Sequence, residues 1–332
     1  MKKALENAPV YSCENLSDLI TYLEKESKAN IWLVDERFQP HVLVERALFL
    51  TAGEPLKEVS SFLNHMPQIL EMASGLDRNE ITVIALGGGS ISDFAGFVAS
   101  VLKRGVKLKH IPSTWLSAID SAHGGKTALN LKDYKNQIGT FYPAEKIFLV
   151  TDLLNKQSDD LQTDAKAELI KMALLKDADL LNKIDSFESA MLTAINYKYE
   201  YIKIDPLEKT GLRSELNLGH TLGHLLELHH KISHGKAVGQ GLHLAIQFSV
   251  KRGYLDMAIA EKIKMILNEN AHPYLGLRLS RQDAENILKQ DKKMDENAQL
   301  RFVFLEKIGK ARVEKIAITE ILDFLKEEAC LT

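Results

Sequence analysis

ITVIALGGGSISDFAGFVAS, residues 81–100, changes character twice. Ile81 to Leu86 is a short apolar run of strand length. Gly87, Gly88, Gly89 and Ser90 interrupt it, and a helical stretch then continues to Lys103. Strand, glycine turn and helix form the unit from which a parallel sheet wrapped by helices is built. Glycines at such a turn let the backbone approach a pyrophosphate, and the helix start adds free N–H groups and a positive dipole end. The spacing is not the strict G-x-G-x-x-G fingerprint, so a plain tight turn stands as the alternative. Asp93 and the Pro112–Ser113–Thr114 turn favour the ligand reading, because they fall at neighbouring strand ends, where open sheets bind nucleotides. Gly88, Gly89, Ser90, Asp93, Ser113 and Thr114 are therefore candidate cofactor contacts.

Outward from this stretch, IWLVD (31–35), LKHIP (108–112) and KIFLV (146–150) read as further strands, and 16–28 and 57–73 as helices. Past residue 150 helical patterns dominate, over 162–176, 187–204, 216–229, 235–252, 256–269 and 281–290. A hairpin over 299–316 turning near Gly309 and a helix over 319–328 close the chain. The fold class is α/β plus α, with an α/β domain over 1–151 and a mainly helical domain over 152–332. A cleft between two such domains is the default place for a ligand.

Composition bounds the function. The 332 residues suffice for two packed domains, and 45% hydrophobic with 26% charged residues is ordinary for a soluble protein. A net charge of -3 gives no global field for nucleic acid or an anionic membrane, so any anionic ligand needs a local basic pocket. Cys13 and Cys330 make neither a metal spacing nor a disulfide framework. No apolar stretch follows the first lysines, and the most apolar window is broken by Asp93 and glycines. The expectation is a cytoplasmic protein that binds neither nucleic acid nor membrane.

Three stretches carry candidate chemistry. In DSAHGGKTALNLKDYKN (120–136), lysines alternate with glycines and small polar residues, which suits an anion-binding loop as well as an irregular surface loop. Glu168 and Lys171 stand one helical turn apart in AELIKMALL and, taken alone, read as an ordinary surface ion pair. HTLGH places His220 and His224 on one helix face, with His234 following. Gly219 and Gly223 weaken that helix, which implies that something approaches closely. One carboxylate and two histidines with open positions make a zinc-type shell, and spacing alone nominates His220 and His224 as its histidine pair.

GGGSISDFAGFVAS, LKRG, IPST, IDSAHGGKTALN, KNQIGTFYPA, AELIK, GLRSELNLGHTLGH and HGKAVGQG occur in an order that resembles the 3-dehydroquinate synthase family of sugar-phosphate cyclases. The resemblance covers 81–150 and 165–252, with DKK at 291–293 also fitting. It implies a Rossmann-like NAD-binding domain followed by a mainly helical metal-binding domain. It implies Glu168, His220 and His234 as ligands of zinc (or cobalt), which moves His224 from the metal to the substrate phosphate. The implied reaction converts 3-deoxy-D-arabino-heptulosonate 7-phosphate to 3-dehydroquinate and phosphate. A hydroxyl is oxidised transiently by NAD, phosphate is eliminated, the ketone is reduced back, and the ring recloses by an aldol step. Lys126, Asn136, Asn217, His224 and Lys292 are implied at the phosphate. Lys198 and Arg213 are implied at the carboxylate, and Asp120, Lys135 and Lys171 at the reacting hydroxyls. Asp35, Glu54 and Lys57 join the cofactor contacts, and Arg104 implies a homodimer by reaching the partner's site.

The chain departs from the family pattern in several places. The segment between Asp35 and Glu54 is shorter, LNKQSDDLQTDAKAE replaces a proline- and arginine-bearing stretch, Lys236 stands where glutamate is usual, and DPLEKTGLR has an extra residue. Another sugar-phosphate cyclase, a metal-dependent dehydrogenase of the glycerol dehydrogenase type, and a catalytically silent scaffold are the alternative readings.

Overall fold

The computed structural model describes residues 1–132, 134–184, 186–290 and 299–332. The chain forms two compact units, Met1–Leu161 and Gln162–Thr332. The division falls beyond the 151/152 boundary expected from the sequence, so the short helix at Thr151–Leu154 stays with the first unit.

The first unit is built on a seven-stranded sheet. Its strands are β1 (Lys2–Lys3), β2 (Val10–Cys13), β3 (Asn30–Asp35), β4 (Ala47–Leu50), β5 (Thr82–Gly87), β6 (Lys107–Pro112) and β9 (Lys146–Val150), in spatial order β1-β2-β9-β6-β5-β3-β4. Only β1 runs antiparallel to its neighbour. Side chains alternate across the pleat and both faces are covered, which explains the apolar runs Ile31–Val34 of β3 and Val83–Leu86 of β5. Ile31 and Leu33 join Val83, Ala85 and Leu108 under helices α2 (Val59–Met72) and α3 (Gly89–Val101). Trp32 and Val34 join Ile84, Leu86 and Phe148 on the other face, under α1 (Leu16–Glu26).

The stretch read as a loop after residue 124 is instead an antiparallel hairpin, β7 (Lys126–Leu131) and β8 (Tyr134–Phe141). It packs on α3 through Gly96, where a Cβ would meet Thr127 Cγ2 at 2.4 Å. The lysine-rich sequence concealed this, because only Thr127, Leu129 and Asn130 at the middle of β7 turn inward while β8 exposes most of its positions.

The second unit is mainly helical. It contains α5 (Asp159–Lys176, which begins just before the division), α7 (Phe187–Ile204), α8 (His220–His230), α9 (His234–Lys251), α10 (Met257–Asn270), α11 (Arg281–Lys289) and α12 (Ile318–Glu327), with the short α6 (Ala178–Leu181). The expected hairpin is β10 (Gln299–Lys307) and β11 (Lys310–Ala317), with Gly309 at positive φ in its turn. Phe248 stacks on Phe324 with centroids 4.2 Å apart, and Phe302 and Phe304 close the aromatic core around it. Among the described residues, no helix is long and apolar enough to cross a membrane.

Candidate active site

The glycines at 219 and 223 do not make room for a ligand. Gly219 has φ +77°, and a Cβ there would meet the Leu242 backbone N at 2.9 Å. A Cβ on Gly223 would meet Ala237 O at 2.9 Å, and one on Gly241 would meet Gly219 O at 2.0 Å. What approaches closely is α9, laid backbone to backbone against α8. That contact brings His220, the first residue of α8, within 5.5 Å of the ring of His234, the first residue of α9.

Glu168 of α5 completes the group. Its Oε1 lies 3.3 Å from His220 Nε2 and 3.8 Å from His234 Nε2, yet it is buried with no hydrogen-bond partner among the described residues. The three donor atoms lie within 4.8 Å of one another. Each imidazole is aimed through its other nitrogen. His220 Nδ1 sits 3.3 Å from Leu218 O, and His234 Nδ1 sits 2.9 Å from Glu227 Oε2. A carbonyl or carboxylate behind each ring is how metal-binding histidines are oriented. Two Nε2 atoms and an orphaned carboxylate oxygen fit a divalent metal of the zinc type.

The charges agree with that fit. Burial alone would raise the Glu168 carboxyl, but Lys171 and His220 outweigh it and hold it well below the usual range. Burial and Lys171 push His220 down, which keeps its ring neutral and able to donate a lone pair. Burial opposes protonation of His234 too, but the neighbouring carboxylates of Glu168 and Glu227 push it up to about 10. A site that draws a proton between two carboxylates is a site that favours a cation.

Lys171 Nζ is 2.5 Å from Glu168 Oε2, and both side chains are at most 3% exposed. The surface ion pair expected from their spacing is therefore a buried one, because the apolar residues around them in α5 are all interior. His224 stands beside the set, its ring 5.4 Å from His220 and 5.9 Å from His234. With Glu227 and His234 it makes a second group of metal-capable atoms, so spacing alone could not separate the roles of the two helix histidines.

Other second-unit residues from the sequence reading are also placed. Lys198 is buried on α7, and Arg213 is buried in the turn before α8 with Nη1 donating to Pro206 O at 2.7 Å. Asn217 donates to Ser214 O. Asp205 shapes this turn, accepting from the backbone N–H groups of Lys209, Thr210, Gly211 and Arg213. Lys292 lies outside the described residues.

In the first unit β5 ends at Gly87, and Gly88 caps α3 without a side chain. A Cβ on Gly88 would touch Thr114 and one on Gly89 would touch Ser121, so these turns lie together, with Ser90 Oγ accepting from Gly53 N. Ser113 Oγ is buried and has no hydrogen-bond partner among the described residues. Asp93 Oδ2 pairs with Lys57 Nζ at 2.8 Å, while burial, opposed in part by Lys57, pushes the Asp93 carboxyl up. Lys57 Nζ also donates to Asn136 Oδ1 at 2.6 Å. Asn130 Nδ2 donates to Glu54 Oε1 at 2.7 Å and its Oδ1 accepts from Asn136 N, while Lys135 Nζ lies 3.8 Å from Glu54. Residues assigned to cofactor and to substrate thus share one polar network. Asp120 closes the turn Ser117–Ser121, near enough to raise Asp93, and Lys126 opens β7 on the exposed side. Arg104 has φ +68° and follows Lys103 at φ +47°. Two consecutive left-handed non-glycine residues store strain of about 1–3 kcal/mol each, which is commonest at functional sites.

Comparison with known proteins decides the family. The 3-dehydroquinate synthase N-terminal model matches residues 47–163, and the C-terminal model matches 165–294. The chain belongs to the 3-dehydroquinate synthase family. It is accordingly an enzyme of the phosphorus–oxygen lyase class, with the activity of that family. The 3-dehydroquinate synthase of Methylacidiphilum infernorum is 33% identical over 89% of this chain and 84% of its own. That of Thermoanaerobacter pseudethanolicus is 35% identical over 82% and 80%. Among solved structures, a 2-deoxy-scyllo-inosose synthase complexed with carbaglucose-6-phosphate, NAD+ and Co2+ superposes with a TM-score of 0.83 at 23% identity, covering 96% of both chains. A 2-epi-5-epi-valiolone synthase from Streptomyces hygroscopicus with NAD+ and Zn2+ bound gives 0.76 at 20%, again over 96% of both. At these identities the structural likeness shows the fold.

The sequence reading missed Glu227, Asn130 and Asp164, which the structure ties to candidate site residues or their chain neighbours. Glu227 had a signal, since it lies on the His220–His224 face of α8, seven residues from the first and three from the second. Asn130 closes the IDSAHGGKTALN motif, but only the hairpin brings it to Glu54.

Proposed function

We propose that this chain converts 3-deoxy-D-arabino-heptulosonate 7-phosphate to 3-dehydroquinate and phosphate, using NAD and one divalent metal, zinc or cobalt. The observation that carries the residue-level reading is the Glu168–His220–His234 set, with Glu168 and His220 buried and the imidazoles aimed by Leu218 O and Glu227. The 33–35% identity to proteins named 3-dehydroquinate synthase, against 20–23% to other cyclases, favours this substrate over theirs.

Bound NAD supplies a reversible hydride acceptor, and the metal supplies a Lewis acid for adjacent hydroxyls. The chain supplies everything else. N–H groups at Gly88, Gly89 and Ser90 bind the pyrophosphate, with Asp93, Ser113 and Thr114 beside them and Asp35, Glu54 and Lys57 toward the remaining cofactor groups. Lys126, Asn136, Asn217, His224 and Lys292 hold the substrate phosphate, and Lys198 and Arg213 its carboxylate. Asp120, Lys135 and Lys171 attend the hydroxyls, where Lys171 keeps Glu168 ionised. The strained Lys103–Arg104 turn supports a homodimer in which Arg104 serves the partner's site. Free thiols at Cys13 and Cys330 suit the cytoplasm.

The test is phosphate release from the heptulosonate phosphate with NAD and zinc, followed alongside NADH absorbance. The reading requires phosphate release with no accumulating NADH, and its loss on chelation. One NADH per turnover from an unphosphorylated alcohol would replace it with a dehydrogenase.

A further inference from the structure

Asp35 ends β3, beside β5, in the register that sets Val34 opposite Leu86 and so places Asp35 next to Gly87. In a dinucleotide-binding sheet an acid at this strand end accepts the ribose 2′-hydroxyl. Here the acid is already engaged. Asp35 is 1% exposed, and its carboxylate accepts from Arg37 N at 3.1 Å, from Arg37 Nε at 3.0 and 3.1 Å, and from Nη2 at 2.5 Å. The Arg37 side chain is 63% exposed. The one other acid of this turn, Glu36, accepts from Thr51 Oγ1 at 2.9 Å. A hydroxyl arriving at Asp35 must therefore displace a charge-assisted fork, whereas a dianionic phosphate meets an exposed guanidinium pinned in place.

We propose that Arg37 makes this chain accept the 2′-phosphorylated nicotinamide dinucleotide, NADP, at least as well as NAD. This rests on the reading of the first unit as the dinucleotide site. The buried Asp35 carboxylate serves as the anchor that fixes the guanidinium, and its negative charge is neutralised by the residue it anchors. One charge-assisted contact to phosphate corresponds to about ten- to hundredfold in affinity.

Calorimetric titration of the purified zinc-loaded protein with NAD and with NADP decides it. The expected result is NADP binding as tightly as NAD or more tightly. Arg37→Ala should weaken NADP about ten- to hundredfold while leaving NAD unchanged or tighter. Arg37→Lys, which keeps the charge and loses the fork, should fall between them. Equal thermal midpoints and zinc contents in the variants exclude a folding defect. Binding of NAD with NADP rejected in the parent chain, and no change of that preference in Arg37→Ala, overturns the inference and leaves the dinucleotide site standing. Binding of neither nucleotide overturns both.

Discussion

Glu227 Oε2 lies 2.9 Å from His234 Nδ1, although the two residues belong to different helices. The bond leaves His234 Nε2 turned toward Glu168. Glu227→Ala should keep all three donor residues and still weaken metal binding about 10–100-fold, the usual effect of losing such an orienting carboxylate. Gln, which retains an acceptor, should recover part of the loss. Competition with a chromogenic chelator measures this, and unaltered affinity in the Ala variant would remove Glu227 from the site.

Lys171→Met addresses the buried pair. Removing the ammonium strands the Glu168 carboxylate in the interior, which costs about 3–5 kcal/mol when a buried pair loses one partner. Urea unfolding of the metal-free protein should show a loss of that size. Added zinc should return much of it, since a cation at Glu168 again balances the charge.

Asp164 sits one turn before Glu168, and its Oδ1 meets Ser233 Oγ at 2.9 Å and His272 Nε2 at 2.7 Å. Ser233 directly precedes His234, and its side chain caps nothing in α9. The bond therefore ties the helix carrying Glu168 to the start of the helix carrying His234. In Asp164→Ala the visible absorption of the cobalt-loaded protein should shift as the ligands loosen, with Asn restoring the spectrum. Identical spectra in all three proteins would reduce Asp164 to a stability role.

Burial pushes the His110 imidazole down to about 4. The unfolded chain takes up that proton near pH 6.5, while the folded chain stays neutral until about pH 4. Stability from this group is complete above pH 6.5 and is lost as pH falls toward 4, by about 3 kcal/mol in all. His110→Leu should flatten the stability profile in that window. A parallel profile in the variant would show that other groups set the acid limb.

Arg104 gives the assembly prediction. If it acts in the partner's site, Arg104→Ala and His220→Ala are each inactive, and hybrids formed by mixing them regain activity through one intact site per dimer. Refolding the two together and measuring phosphate release checks this. No recovery, or a monomer by light scattering with normal activity, denies Arg104 that role.

Much of the molecule follows from local sequence. Ile81–Leu86, the three glycines and the helix behind them determine a parallel strand–turn–helix unit by themselves, because burial on both faces demands an apolar run and Ile91, one turn into the helix, leaves no room for a Cβ at Gly87. The chain order of AELIK, GHTLGH and HGKA named the metal set through family likeness. Tertiary structure decided what spacing could not. His220 and His224 share a helix face, so periodicity joined them, but Glu168 arrives from α5 and His234 from the start of α9, and only backbone contact through Gly219, Gly223 and Gly241 sets the first against the last. The same holds for Lys171, whose spacing from Glu168 fits a surface as well as a core, and for Asn130, which reaches Glu54 only once the hairpin lies over α3. Periodicity records which residues share a face. Which faces meet, and how dry the contact becomes, depends on packing among residues distant in sequence.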